Sequence, residues 1–141
     1  MAARSSPDGR AGLQEKGDLV KALSIVAPGG SWIASGLKTL EVRRWKPELH
    51  PDEDVLIVEN KVFLRQDGDE DDAGRVVALA RVAVVRPFMP EDMAAACASS
   101  FEDGWLSWEL THVRPVTSAI AVKAARGIYE LAPPTDIRPR S

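Results

Sequence analysis

The sequence predicts one α+β domain, a small curled β-barrel of five or six short strands with two or three short helices. Short apolar and β-branched runs recur along the chain, separated by clusters of Gly, Pro and Asp. These runs do not alternate with long helical segments, so the sequence does not predict a parallel sheet built from βαβ units. With 141 residues and 45% hydrophobic side chains, the chain suffices for one core and is too short for two ordinary domains.

The first half of the chain is predicted to open with a strand in which Leu23 and Ile25 share one face. Pro28-Gly29-Gly30 ends this strand. A short helix follows, with a serine as N-cap and a glycine as C-cap. In order, the elements predicted here are a strand at 20–27, a helix between Ser31 and Gly36, a strand at 39–45 and a strand at 54–60.

The second half is predicted to contain a central strand, because an apolar run there is interrupted only by Arg81. Pro90, followed by Glu91 and Asp92, is typical of the first turn of a helix. In the next strand, Trp108 alternates with two leucines and is expected in the core. In order, the predictions are a solvated acidic loop at 67–72, a strand at 76–85, a helix at 90–98, a strand at 105–113 closed by Arg114-Pro115-Val116, and a strand at 127–131.

The two ends of the chain are predicted to lie outside the domain. Residues 1–17 are expected to be a disordered tail, residues 18–132 the domain, and residues 133–141 a loose tail after two prolines. No run approaches the roughly 18 apolar residues of a membrane span, and the N-terminus lacks the apolar segment of a secretory signal. We therefore expect a cytoplasmic protein with no membrane association, with a monomer favoured.

Two residue types, cysteine and histidine, bear on metal and redox chemistry. A lone cysteine, Cys97, excludes an internal disulfide, and its alanine-rich surroundings predict a buried, inert thiol. His50 and His112 are far apart and have no metal-ligand spacing. The sequence therefore predicts neither a metal site nor a cofactor.

The stretch 36–43 concentrates polar chemistry, with an amine, a hydroxyl, a carboxylate and a guanidinium in eight residues. If it forms a strand, Glu41 and Arg43 share one face with Thr39, while the apolar Leu40 and Val42 share the other. Glu41 and Arg43 then face a cleft, over which the preceding lysine can reach. The alternative is a solvated ion pair worth about 0–1 kcal/mol.

Charge distribution restricts the kinds of partner. The net charge of −3 weighs against tight, nonspecific binding of duplex nucleic acid. Basic residues nevertheless cluster in one third of the chain, so any nucleic-acid contact must depend on local groups. The cluster comprises Lys38, Arg43, Arg44, Lys46, Lys61 and Arg65.

The motif Gly36-x-Lys38-Thr39-x-Glu41-x-Arg43 follows Leu23-Ser24-Ile25, Pro28 and Trp32 and precedes a late Trp108-x-Leu110. This order resembles the ASCH domain family, which shares the PUA-like β-barrel and is named for its link to RNA and transcription coactivators. The resemblance covers roughly residues 21–131 and implies a cleft lined by the motif. It implies RNA or a modified nucleoside as the partner.

The resemblance also implies two activities. One branch of the family resembles amidohydrolases that deacetylate acetylated cytidine, and another cleaves single-stranded RNA without metal. The position matching Glu41 tends to hold a threonine in the amidohydrolase branch, so this sequence departs from that branch. Catalytic roles would fall on Lys38, Thr39 and Glu41. Ligand contacts are predicted for Trp32, Arg43, Trp45, Glu59, Asn60 and Lys61. For the two tryptophans, which flank the motif, the alternative to base stacking is packing in the core or at its rim. Glu59, Asn60 and Lys61 end an apolar strand, where they either form the rim of a pocket or are the ordinary exit of the strand into solvent.

Overall fold

The structure, a computed structural model, describes residues 19–132, without the side chains of 117–119. The predicted tails at 1–17 and 133–141 lie outside this range. Among the described residues, no helix is long and apolar enough to cross a membrane. In chain order the elements are β1 (Val20–Val26), α1 (Gly29–Ser35), β2 (Leu40–Arg43), β3 (Val55–Asn60), β4 (Glu70–Pro87), a 3₁₀ turn (Pro90–Asp92), α2 (Met93–Ala96), β5 (Leu106–Ala125) and β6 (Ile128–Leu131).

The six strands form one mixed sheet in the order β2-β5-β4-β3-β1-β6. Only β1 and β3 pair in parallel, and the other neighbours are antiparallel. The long pair of β4 and β5 contains four register shifts, and such bulges increase the bend and twist of a sheet.

The predicted closed barrel is wrong, because the sheet is open and has β2 and β6 as its edges. β2 has four residues and pairs with β5 alone in the described sheet. β2 and β1 are not paired in the described sheet. One side-chain hydrogen bond spans the gap between them, in which Arg43 Nη2 donates to the Ser24 carbonyl at 3.0 Å. The predicted curl is therefore present, but the closure is not.

The main core lies against the curled sheet and contains Leu23, Ile57 and Trp108, which are fully buried. Helix α1 covers it through Ile33, also fully buried. A second apolar cluster packs β3 against the far parts of β4 and β5, and a third lies under α2. The prediction that Trp108 belongs to the core is confirmed.

Helix α1 begins three residues earlier than predicted, with Pro28 instead of Ser31 at the N-cap position. Gly29 and Gly30 are its first residues, so Ser31 is not the N-cap. Both glycines are buried, and an added Cβ would lie 2.6 Å from Ile25 Cγ2 at the first and 2.8 Å from Glu59 Cβ at the second. The close approach of helix and strands therefore requires glycine here. The predicted end at Gly36 is confirmed, with φ of +85°.

Two predicted boundaries in the second half are also wrong. The acidic residues 70–72 belong to β4 because its N-terminal end pairs with the end of β5, as in Glu70 opposite Ala125. β5 does not close at Pro115, which pairs with Ala78 and is followed by ten further strand residues. Register shifts on both sides of that pair accommodate the proline in the sheet.

Candidate functional site

The end of α1 positions Lys38. Gly36, in the left-handed conformation, turns the chain, and its N–H donates to the Ile33 carbonyl at 3.0 Å. The N–H groups of Leu37 and Lys38 both donate to the Trp32 carbonyl, at 2.9 and 3.0 Å. These bonds satisfy the free carbonyls of the last helical turn and fix the backbone from which the Lys38 side chain extends.

Lys38, Glu41 and Arg43 form one cluster, called the motif cluster below. Lys38 Nζ lies 3.3 Å from Glu41 Oε1, and Arg43 Nε donates to Glu41 Oε2 at 2.7 Å. Lys38 Nζ also donates to the Ala96 carbonyl at 2.5 Å, at the C-terminal end of α2. Arg43 Nη2 donates to the Ser24 carbonyl at 3.0 Å. One carboxylate therefore holds two cations, and the cluster has a formal charge of +1.

The alternation predicted for β2 is confirmed. Leu40 and Val42 pack into the apolar cluster under α2, around Phe88 and Ala96. Glu41 lies on the opposite face of the strand and is buried. The motif cluster is therefore not the solvated surface pair of the alternative interpretation, since the side chains of Lys38 and Glu41 are only 11% and 7% exposed.

A cleft of about 300 Å³, called the inner cleft, lies beside the motif cluster. Its wall contains Lys38 and Glu41, together with the ring-bearing Trp32 and the turn at Pro28. The end of α2 provides the other side, including Cys97. Cys97 is partly exposed rather than buried as predicted, because it sits in the left-handed conformation that ends α2, with φ of +53°.

Two further clefts adjoin the inner cleft. The middle cleft, of about 250 Å³, shares Ile25, Val26 and Glu41 with the inner cleft. The outer cleft, of about 630 Å³, shares Arg43 and Arg126 with the middle one, as well as Leu64 and Gly127. The three clefts together are called the groove below, and each neighbouring pair has lining residues in common.

Trp45 lies at the far end of this groove. Its ring meets that of Trp108 edge to face, with centroids 5.0 Å apart, and its carbonyl accepts from the Trp108 indole N–H at 3.2 Å. Trp45 is 37% exposed and lines the outer cleft. It is held in place by the core and still offers part of its ring to a ligand.

The structure brings six of the nine predicted site residues to the groove. These are Trp32, Lys38, Glu41, Arg43, Asn60 and Trp45. Thr39 is exposed and is absent from the described lining of the three clefts. Its backbone instead ties α2 to β5, since its N–H donates to the Ala95 carbonyl and its carbonyl accepts from Leu110 N–H.

Glu59 and Lys61 line a further cleft on the β3–β4 side, which shares Ala27 with the inner cleft and Asn60 with the middle cleft. The Glu59 carboxylate accepts from Ser31 N–H at 2.7 Å and from Ser31 Oγ at 3.0 Å, and it lies 3.4 Å from Arg75. It thus stabilises the first turn of α1, where a negative charge is favourable. Lys61 N–H donates to Asp71, and its side chain is exposed.

Several groove residues come from distant parts of the chain and were not predicted from the sequence. They are Ser24, Phe63, Leu64, Cys97, Trp105 and Arg126. The Ser24 hydroxyl and the Tyr129 hydroxyl lie 2.8 Å apart, and burial raises the pKa of Tyr129 despite that hydrogen bond. The apolar run Val62-Phe63-Leu64, between charged residues, was the one signal available in the sequence.

Beside the groove, two aspartates, Asp69 and Asp71, accept hydrogen bonds from backbone N–H groups. Asp71 accepts from the N–H groups of Ala73, Lys61 and Val62, and these bonds lower its pKa. Asp69 accepts from two more N–H groups. Among residues 19–132, no three His, Cys, Asp or Glu side chains are grouped so that they could hold a metal ion.

A model of the ASCH domain matches residues 23–119, from β1 into β5. The match includes the motif cluster and covers more than half of the chain. The chain belongs to the ASCH domain family. A search of curated proteins finds no significant match.

Two crystal structures of an ASCH protein from Zymomonas mobilis, ZmASCH, are similar in fold to this ASCH domain. A tyrosine-to-phenylalanine variant matches with a TM-score of 0.52 and 16% identity, over 72% of this chain and 75% of that one. A serine-to-alanine variant matches with a TM-score of 0.47 and 16% identity, over 72% of each chain. At this identity the likeness concerns the fold alone.

Proposed function

We propose that this ASCH domain binds single-stranded RNA or a modified nucleoside, with a base held in the inner cleft beside the motif cluster. The observation that carries the proposal is the buried pairing of one carboxylate, Glu41, with two cations at the wall of that cleft. The motif cluster has a formal charge of +1, which favours an electron-rich or anionic ligand, although the protein as a whole is acidic.

The motif cluster retains hydrogen-bond donors for a ligand. Arginine carries five N–H donors and lysine three. With described residues, Arg43 uses donors on Nε and Nη2, and Lys38 contacts one carbonyl and one carboxylate oxygen. The remaining donors suit the carbonyl oxygens of a base or the oxygens of a phosphate.

Trp32, in the wall of the inner cleft, supports the same proposal. It is partly buried and lines the cleft together with Lys38 and Glu41. A base stacked on an aromatic ring gains about 1–3 kcal/mol without regard to its identity. A cleft of about 300 Å³ lies at the lower end of the range for small-molecule sites and suits a single base.

The placement of Thr39 favours binding over the threonine-nucleophile mechanism. A nucleophile must lie within hydrogen-bond reach of its activating base and open to the substrate. Thr39 is exposed outside the inner cleft, whereas Lys38 is engaged by Glu41 and by Ala96. In this arrangement Lys38 and Arg43 act as fixed cationic contacts.

The test is titration of the purified chain with mixed-sequence single-stranded RNA and with a panel of nucleosides that includes acetylated cytidine. Wild type should bind at least one of them. Trp32→Ala should weaken binding about 5- to 150-fold through lost stacking, and Trp32→Phe should restore most of it. Lys38→Ala and Arg43→Ala should weaken binding as well.

Lys123→Ala is the matched control, because Lys123 is exposed, pairs with Glu70 and lies outside the three clefts. Circular dichroism and thermal unfolding of each variant check that it folds. Unchanged binding in folded Lys38→Ala and Arg43→Ala variants would sink the proposal. Mass analysis of the ligands after incubation separates binding from turnover.

A further inference from the structure

We infer that the segment 89–100, called the cover below, opens as a unit over the inner cleft and that Asp92 holds it shut. The cover lies between β4 and β5 and contains the 3₁₀ turn and α2. Its opening frees a further donor of the Lys38 ammonium for a ligand. Asp92 is then a positioning residue, which acts on Lys38 through the cover. This inference rests on the proposed function, because it describes how access to the same cleft is regulated.

The two ends of the cover meet in an aromatic clamp. The rings of Phe88 and Phe101, which flank the cover, have centroids 5.4 Å apart. Phe88 also stacks on Trp105 with centroids 6.5 Å apart, and its N–H donates to the Trp105 carbonyl at 2.8 Å. Because Phe88 is buried, this clamp is part of the core. A compact loop whose ends are held together can move without disturbing the strands that it joins.

Between these ends, the cover packs on the sheet mainly through small side chains. Ala96 is buried in the cluster around Leu40 and is the one buried residue of α2. Ala95, Ala98 and the half-buried Met93 pack against the same cluster. An alanine methyl removes little apolar area from water, so this packing holds the cover weakly.

The contact between Asp92 and Arg86, called the latch below, adds to this packing. The Asp92 carboxylate accepts from Arg86 Nη1 at 2.8 Å and from Nη2 at 3.2 Å, and it also accepts from the Met89 N–H at 2.9 Å. Arg86 belongs to β4, and its Nε donates to Glu109 of β5 at 2.7 Å. The latch therefore joins the first turn of the cover to two strands of the sheet.

The other end of the cover is bound to the motif stretch. The Ala95 carbonyl accepts from the Thr39 N–H at 2.9 Å, and the Ala96 carbonyl accepts from Lys38 Nζ at 2.5 Å. The residues from Ala96 to Ser99 line the inner cleft. Movement of the cover therefore breaks both hydrogen bonds, widens the cleft and gives Lys38 a free donor.

The closed cover contains a strained residue at the point where α2 ends. Cys97 has φ of +53° and ψ of +37°, in the left-handed region that disfavours residues other than glycine. Such residues persist only where the surrounding structure enforces them, and they cluster at switch regions. Opening relaxes Cys97, which brings the free energies of the open and closed states closer together.

The first experiment needs no ligand and measures amide hydrogen exchange of the wild-type chain by NMR at increasing, sub-denaturing urea. We expect the N–H groups of Thr39, Cys97 and Ala98 to exchange together, with an opening free energy below that of global unfolding and little dependence on urea. The N–H of Phe88 in the clamp should exchange only through global unfolding. So should the N–H of Leu110, which donates to the carbonyl of Thr39. Exchange of Thr39 in step with Leu110 would overturn the inference.

The second experiment weakens the latch with Asp92→Asn, which keeps the shape of the side chain and removes its charge. Exchange of the Thr39 N–H should accelerate about 10- to 150-fold, the equivalent of one hydrogen bond to a charged group. Acetylation of Lys38 Nζ by acetic anhydride, read by mass spectrometry of peptides, should accelerate by the same factor because both reactions need the open cover. Acetylation of Lys38 at the wild-type rate would overturn the inference.

Glu91→Gln is the matched control for this variant. Glu91 precedes Asp92, is exposed and makes no ion pair with any residue of 19–132 in the structure. Its substitution should leave Thr39 exchange and Lys38 acetylation unchanged, and equal acceleration in Glu91→Gln and Asp92→Asn would overturn the inference. Exposed Lys123 is the internal reference, since its acetylation should be the same in all three proteins.

The third experiment separates this inference from the proposed function by titrating Asp92→Asn with mixed-sequence single-stranded RNA. Because the ligand needs the open cover, the variant should bind more tightly than wild type, by up to the factor seen in Thr39 exchange. Equal or weaker binding by the folded variant would overturn the inference and leave the proposed function standing. If wild type binds neither RNA nor a nucleoside, the proposed function fails, and exchange and acetylation still decide whether the cover opens.

Discussion

Two clusters of this ASCH domain each pair one carboxylate with two cations, in different surroundings. Glu41 pairs with Lys38 and Arg43 in the motif cluster. In the second cluster, Asp54 pairs with Arg81 at 2.9 Å and with Arg114. The Glu41 side chain is 7% exposed and the Asp54 side chain 41%. Burial is therefore the main difference between them.

Burial changes what each cluster does. An exposed ion pair costs little to form and contributes about 0–1 kcal/mol. A buried pair must overcome the loss of hydration of its charges, so it is a poor means of gaining stability. The motif cluster accepts that cost and lines a cleft, whereas the Asp54 cluster joins strands at the surface. This contrast supports a ligand-binding role for the buried cluster.

The largest expected effect is on stability. Glu41→Ala leaves Lys38 and Arg43 in a buried site without their carboxylate, and we expect it to lower the free energy of unfolding by about 3–5 kcal/mol. Asp54→Ala leaves Arg81 and Arg114 free to hydrate and should lower it by about 0–1 kcal/mol. Urea unfolding followed by tryptophan fluorescence measures both. Equal losses would show that burial does not separate the two clusters.

The motif cluster could be predicted from the sequence because its geometry depends on residues that are close together in the chain. Period-two alternation placed Glu41 and Arg43 on one face of β2 and Leu40 and Val42 on the other, as observed. The glycine C-cap at Gly36, four residues before β2 begins at Leu40, put Lys38 within reach of Glu41. Both inferences depend on backbone geometry within eight residues.

The rest of the groove could not be predicted, since it depends on long-range pairing. Arg126 reaches β2 only because β5 runs to Ala125 and β6 returns beside β1. Pro115 was expected to end a strand, but β5 continues through it because register shifts on both sides accommodate the proline in the sheet. Glu59 was expected at a pocket rim because an apolar strand ended there. Its partner Ser31, 28 residues away, could not be read from the local pattern.

A second prediction concerns the loss of one cation, Lys38, from the motif cluster. Lys38→Met keeps the apolar stem, and Glu41 keeps Arg43 at 2.7 Å as its partner. We therefore expect a loss of about 1.5–3 kcal/mol, the value of a hydrogen bond to a charged group, which is smaller than for Glu41→Ala. Urea unfolding measures it. A loss larger than that of Glu41→Ala would contradict the view that the carboxylate is the shared partner.

A third prediction concerns acid. Burial acts to raise the pKa of Asp54, but hydrogen bonds and charges from Arg114 and Arg81 outweigh it and hold the pKa below its ordinary value of 3.8. A lowered folded-state pKa contributes stability above the unfolded pKa, and that stability is lost as pH falls through the folded pKa. The stability difference between wild type and Asp54→Asn should stay constant from neutral pH to about pH 5 and then shrink below about pH 4.

Thermal unfolding of the two proteins across this pH range measures that difference. The comparison isolates Asp54, because Asp71 and Asp92 also have lowered pKa values and are present in both proteins. A difference that stays constant down to the lowest pH would show that Arg81 and Arg114 do not act on the ionised carboxylate.

The smallest expected effect is that of salt. The Debye length falls from about 10 Å at 0.1 M to about 3 Å at 1 M, and screening of this kind acts on exposed charges more than on buried ones. The penalty of Asp54→Ala should therefore shrink by a few tenths of a kcal/mol in 1 M salt. The penalty of Glu41→Ala should keep its value, because Lys38 and Glu41 are shielded from solvent. Urea unfolding at the two salt concentrations measures the loss of stability caused by each substitution. If salt reduced the Glu41 penalty as much as the Asp54 penalty, water and ions would have access to the motif cluster, and the contrast between the two sites would fail.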